Sequence, residues 1–256
     1  MSLAARYYSN KNRTIKYLCA MTKILHIDTA GQFCSVALSE NYTLKGLLET
    51  DEINAHARLI TIFIDQVIKN QNLSPEDLDA VAVSSGPGSY TGLRIGVSAA
   101  KGLCYALSIP LLAIPSLQAM AVGMIEAAKK ENTLKPETLF CPMIDARRME
   151  VYTALFDKNG KAIRETSAEI IDENSFAQEL SLNPLSFAGS GAAKCKTLLS
   201  GNGNALFQDN FEPSAKFMIP LAMDRFLQKQ WEDIAYFEPF YLKEFKASPP
   251  KVKGLR

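Results

Sequence analysis

Residues 84–92 read Ser-Ser-Gly-Pro-Gly-Ser-Tyr-Thr-Gly, and this stretch suits chemistry best. A glycine-rich loop that opens a helix exposes backbone N–H groups and can hold an anion such as phosphate. Gly88 and Ser89 are the candidates here. The glycines stand at 86, 88 and 92, however, which matches neither G-x-G-x-x-G nor the P-loop, and no Lys-Ser/Thr pair follows. A sharp strand-to-helix turn that needs glycine is the second reading. Asp28 and Thr29, at the end of an apolar run, could hold a hydrated magnesium ion in a nucleotide site; equally, Asp28 could cap a turn. Gly189-Ser190-Gly191 is the candidate adenosine loop. Ser84, Ser85 and Ser89 make poor nucleophiles, because G-x-S-x-G is absent and only His26 and His56 could serve as a histidine base. A zinc site with two histidines would need both, yet His26 lies inside a strand-like run.

These residues need elements to hold them. Ile24, Leu25 and Ile27 form a short strand ending at Asp28. Strands over 34–38 and 43–50 follow at antiparallel spacing. Leu59, Ile60, Phe63, Ile64, Val67 and Ile68 recur at helical spacing over 55–70. Ser74 and Pro75 start a short helix. Residues 80–84 are continuous in Ala, Val and Ser, as in a central strand covered on both faces. The glycine loop then leads into a helix over 93–107, a strand over 110–114 and a helix from 116 to 129. The first half thus reads β-β-β-α-β-α-β-α. A polar stretch with Pro136 is the expected boundary. Strands over 139–145 and 150–156 open a second unit, with Asn159-Gly160 as a hairpin turn. Helices are expected near 173–180 and over 213–230.

The chain has 256 residues, 47% of them apolar, enough for a sizeable core. Four divisions are expected: a disordered extension over 1–20, lobes over 21–130 and 131–242, and a basic tail over 243–256. With 28 basic and 27 acidic residues the net charge is +1, so RNA contact should be local or supplied by a partner. Five cysteines without a C-x-x-C pair argue for a reducing compartment, and Cys34 and Cys104 fit as small core residues. No apolar run reaches the ~20 residues of a membrane span. A cytoplasmic location is expected.

The helix after the glycine loop carries a further signal. Gly92, Gly96 and Ala100 repeat every fourth residue, Ala99 and Gly102 add small positions, and apolar residues fill most other directions. A helix apolar all round is buried all round. It could be buried between its own lobes or against a partner. Ile62 interrupts the polar side of the preceding helix, which favours a partner face. That face would comprise Leu59, Ile62, Phe63, Gln66, Leu93, Gly96, Ala99, Ala100 and Leu103.

The stretches ILHIDTAGQFCSVAL, LSPEDLDAVAVSSGPGSYTGLRIGVSAAKGL, IDARRMEVYTALF and EPFYL closely resemble the TsaB (YeaZ) family, over about residues 21–242. The resemblance implies the α/β fold of the actin-like ATPases (the ASKHA, ribonuclease H-like class), with two lobes of mixed sheets flanked by helices. It implies a non-catalytic role in forming threonylcarbamoyladenosine in tRNA. TsaC makes the adenylate, TsaD transfers the group to tRNA, and TsaB pairs with TsaD and recruits the ATPase TsaE. TsaD holds its metal through H-x-x-x-H; here His56 is followed four residues on by Ile60. The resemblance therefore implies no cofactor of the chain's own, with ATP and magnesium acting in the complex. It also implies tRNA contact through the complex and self-association when alone. A small-molecule kinase or ATPase of the same fold is the alternative, and a glycoprotease-like peptidase a weaker one.

Overall fold

A computed structural model describes residues 21–52 and 55–243. The expected extension over 1–20 and the tail after Lys243 lie outside these residues.

β1 (Lys23–Asp28), β2 (Cys34–Glu40) and β3 (Thr43–Thr50) form an antiparallel meander. The chain continues through α1 (Ala55–Lys69), β4 (Ala80–Gly86), α2 (Tyr90–Leu107), β5 (Leu111–Pro115) and α3 (Ser116–Lys130). A 3₁₀ turn at Pro75–Asp77 stands where the short helix was expected; the Asp77 carboxylate accepts from both Ser74 N–H and Ser74 Oγ. The first sheet has the order β3-β2-β1-β4-β5, with β4 and β5 parallel to β1.

The second half repeats this plan. β6 (Leu139–Asp145), β7 (Glu150–Phe156) and β8 (Ala162–Ile170) are a second meander. They are followed by α4 (Ala177–Leu182), β9 (Leu185–Ala188), α5 (Ser190–Leu199) and β10 (Ala205–Gln208). The second sheet reads β10-β9-β6-β7-β8, the same order from the other edge. Asn159-Gly160 makes the expected turn, with Gly160 left-handed and the Asp157 carboxylate accepting from Asn159 and Lys161 N–H groups. The sequence reading assigned no strand to 162–170. β8 is a half-exposed edge strand without clean alternation. α4 starts later than expected because Asp172–Ser175 is a hydrogen-bonded turn.

The segment after β10 does not stay with the second lobe. A 3₁₀ turn at Ala215–Met218 and α6 (Ile219–Leu227) return to the first sheet. There Ala222, Met223 and Phe226 pack on Ile24, Ala82 and Leu112. Tyr42 Oη donates to Asp224, and the Arg225 guanidinium donates to the Ala113 carbonyl. Further on, Ile234 and Phe237 join the first core. α3 does the converse: Leu117, Met120, Ala121 and Met124 pack with Phe140, Ile144 and Phe156 of the second sheet. Each half thus ends in a helix that covers the other half's sheet, because each sheet has an apolar face its own helices leave bare. Two lobes, built by one repeated plan, result.

His26 packs inside the first sheet as expected, fully buried, with Nε2 at 2.8 Å from Ser39 Oγ. Burial holds its pKa at about 3. An unfolded chain binds that proton near pH 6.5, so the stability from neutral His26 is present above 6.5 and is lost as pH falls towards 3. Between pH 7 and pH 5 the loss is about 2 kcal/mol. His26→Gln keeps a donor for Ser39 and cannot titrate. The stability gap between wild type and His26→Gln, from urea unfolding, is expected to narrow by that amount on going to pH 5.

Candidate functional site

The loop between β4 and α2 closes on the turn between β1 and β2. Ser89 N–H donates to the Ala30 carbonyl at 2.7 Å. Ser89 Oγ caps α2 by accepting from Gly92 N–H. Thr29 N–H donates to Ser84 Oγ at 3.2 Å, and Ala30 N–H to the Asp28 carboxylate at 3.0 Å. The glycines have an internal reason. A Cβ at Gly88 would lie 2.3 Å from the Ala30 carbonyl oxygen, and one at Gly92 would lie 2.2 Å from the Thr29 carbonyl oxygen. At Gly96 it would lie 2.2 Å from Thr29 Oγ1. The loop is therefore packed backbone to backbone, and the N–H groups of Ser89 and Gly92 are already bonded.

Asp28 is buried, and burial pushes its carboxyl above the ordinary range against the hydrogen bonds from Ala30 and Ser84. No group of three His, Cys, Asp or Glu side chains among the described residues is arranged to hold a metal ion. Gly189 and Gly191 are filled in the same way. Their Cβ atoms would lie 2.4 Å from Met120 Cε and 2.8 Å from Val151 Cγ1, respectively. Asp28, Thr29, Gly88 and Ser89 do come together, in one corner packed backbone to backbone.

The chain's last described residues brace this corner, a role the sequence reading missed. Phe240 N–H donates to the Ser85 carbonyl at 2.7 Å, and a Cβ at Gly86 would meet the Phe240 oxygen at 2.6 Å. The Tyr241 ring lies 4.8 Å from that of Tyr90. Lys243 pairs with Glu150 at the start of β7. The segment 238–243 therefore runs as a strap from the glycine loop to the second lobe. The EPFYL block carried the signal, without a partner to assign to it.

The opposite side of α2 is open. Of the nine residues expected on a partner face, Ile62 and Gln66 are exposed, and Leu59, Phe63, Ala99 and Leu103 are half-buried. Leu93, Gly96 and Ala100 are buried inside the lobe, so they are corrected to core positions. Gly92 and Gly96 allow the close approach of Thr29 in the β1–β2 turn, and Ala100 continues the stripe into the core. A second small position does reach the surface. Gly102 is exposed, and a Cβ there would meet nothing within 4 Å. Thr61, Ile64 and Ile68 of α1, Pro75, and Ala99 and Leu103 of α2 line an open, mostly apolar groove of about 380 Å³.

The duplicated sheets and crossed-over helices define a two-lobed α/β protein whose first-lobe corner is filled by its own chain. The family model for TsaD, tRNA N6-adenosine threonylcarbamoyltransferase, matches residues 42–245. The TsaB protein of Haemophilus influenzae, named for tRNA threonylcarbamoyladenosine biosynthesis, is 30% identical, the match covering 86% of this chain and 93% of that one. Its Escherichia coli counterpart is 31% identical over 86% and 94%. A solved structure of YeaZ from Pseudomonas aeruginosa superposes with a TM-score of 0.67 at 23% identity, covering 87% of this chain and all of that one. The chain belongs to the TsaB (YeaZ) family. No helix among the described residues is long and apolar enough to cross a membrane.

Proposed function

We propose that this chain is a non-catalytic scaffold in the formation of threonylcarbamoyladenosine in tRNA. It pairs with the transferase TsaD through the α1–α2 face and recruits the ATPase TsaE. It holds no nucleotide of its own, and ATP and magnesium act in the assembled complex. The observation that carries this reading is a contrast on α2. Its inner side is packed against the corner where a nucleotide's phosphates would lie, while its outer side leaves an apolar groove and an open glycine. A docking helix of the partner could approach there to the ~8–10 Å axis spacing of close packing. The same face could pair with itself when the partner is absent, since a two-fold contact needs only self-complementarity. A match to the TsaD family model over 42–245 supports pairing of two related lobes.

The test is reconstitution. The chain, TsaC, TsaD and TsaE are combined with tRNA, ATP, threonine and bicarbonate, and each protein is left out in turn. Modified base is expected only with the full set, and none from this chain alone. Turnover without TsaD, or full modification without this chain, would overturn the scaffold reading. Sub-micromolar ATP binding by the isolated chain, lost in Asp28→Ala, would favour a kinase or ATPase.

A further inference from the structure

The described residues include six arginines, and three are tied to an acid or a backbone carbonyl. Arg58 pairs with Glu52, Arg164 with Glu169 and Glu179, and Arg225 with the Ala113 carbonyl. Arg94, Arg147 and Arg148 are exposed, and none forms an ion pair among the described residues. A continuous run of contacts links the segments that carry these three, here called the ridge. Arg94 donates to Tyr90 Oη and stands 5.2 Å over its ring. Tyr90 contacts Tyr241, and Lys243, two residues on, pairs with Glu150. Glu150 N–H donates to the Arg147 carbonyl.

The far end of the ridge is rigidly held. Arg147 and Arg148 are both left-handed, with φ of 73° and 51°. Consecutive left-handed residues other than glycine cost roughly 1–2 kcal/mol each and need support. Lys194 of α5 provides it, donating to the Arg148 carbonyl at 2.7 Å, to the Glu150 carbonyl at 2.6 Å and to the Asp145 carboxylate. Asp145 also accepts from Arg147 N–H at 2.8 Å. Asp145 and Glu150 are thus each neutralised by a lysine, and the two guanidiniums beside them are unopposed. Phe240, 51% exposed, belongs to the same strap and directly precedes Tyr241.

We propose that this ridge is a binding surface for RNA, with Arg94, Arg147 and Arg148 contacting phosphates and Phe240 offering a face on which an unpaired base stacks. The inference deepens the scaffold reading, on which its assignment to tRNA rests. Guanidiniums without an acidic partner, beside an exposed ring, suit single-stranded or loop RNA, where bases are free to stack. An acidic protein surface would match the charge but has no use for the ring. A local ridge also reconciles nucleic-acid contact with a net charge of only +1.

The test is a fluorescence-anisotropy titration of labelled tRNA across a range of salt, with the chain alone and with the chain bound to TsaD. Arg147→Gln/Arg148→Gln removes two charges and keeps most of each side chain. Lys158→Gln/Lys161→Gln, on the distant β7–β8 turn, is the equal-charge control. The arginine variant is expected to bind about tenfold more weakly near 0.1 M salt. Its log–log salt slope should fall by about 1.4–1.8, the value for two lost phosphate contacts. Arg147→Lys/Arg148→Lys should restore the slope, and Phe240→Ala should weaken binding without changing it. The ridge is overturned if the arginine variant titrates like wild type, or if the control loses as much. Unchanged tRNA binding with loss of TsaE in a pull-down would also overturn it, in favour of an acidic protein. Failure of the ridge leaves pairing with TsaD intact. If reconstitution instead shows this chain to be dispensable, the scaffold reading falls, and the RNA titration of the isolated chain still decides the ridge.

Discussion

Gly102→Leu is expected to separate docking from folding. Glycine inside an exposed helix costs about 1 kcal/mol relative to a good helix former, and no neighbour lies within 4 Å of the position a Cβ would take. The isolated variant should therefore melt at or above the wild-type temperature. A leucine there would project into the space that the docking face leaves for a partner helix. Overpacking of a close helix contact costs roughly 1–3 kcal/mol. Binding to TsaD should weaken about tenfold or more, since 1.4 kcal/mol is a factor of ten. Ile62→Asp, 44% exposed on α1, should act in the same direction through an uncompensated charge at the interface. Calorimetric titration with TsaD and thermal melting, done on the same samples, read both quantities. Normal binding in both variants would move the interface off the α1–α2 face.

Gly92→Ala is expected to do the reverse. Its Cβ would lie 2.2 Å from a backbone oxygen of Thr29, which cannot swing aside as a flexible side-chain tip could. The corner must open, and opening it disturbs the Ser89 cap and the Ser89–Ala30 hydrogen bond together. The helix-propensity gain of about 1 kcal/mol offsets only part of this. A net loss of roughly 3 kcal/mol is the expectation, at the upper end of overpacking effects. In a chain of this size that lowers the melting temperature by roughly 6–12 °C. Gly102→Ala, on the same helix, should instead raise stability by about 1 kcal/mol, so the pair forms an internal control. A Gly92→Ala protein that melts normally would mean the corner has room after all, and the anion-site reading of the loop would return.

Local patterns determined much of this protein on their own. The period-two and continuous apolar runs set β1 to β7, and the 3.6-residue repeat set α1 to α3, because each reflects which faces a single element must bury. The four family-like blocks indicated two actin-like lobes. The packed corner at Asp28, Thr29, Gly88 and Ser89 was half legible: glycine at these positions demanded close approach, but not by what. Only the tertiary structure decided that the approaching group is the chain's own β1–β2 turn, a neighbour about sixty residues away in sequence. The same limit explains the nine-residue partner face. A helix apolar all round has two sides to bury, and its sequence does not say which side meets the sheet. Gly96 and Ala100 turned inward and Gly102 outward because the β1–β2 turn and the first sheet's core sit on one side only. The crossed helices α3 and α6 were hidden for a related reason. An amphipathic stripe specifies that it is covered, and the choice between two equally apolar sheets depends on where the chain has already gone.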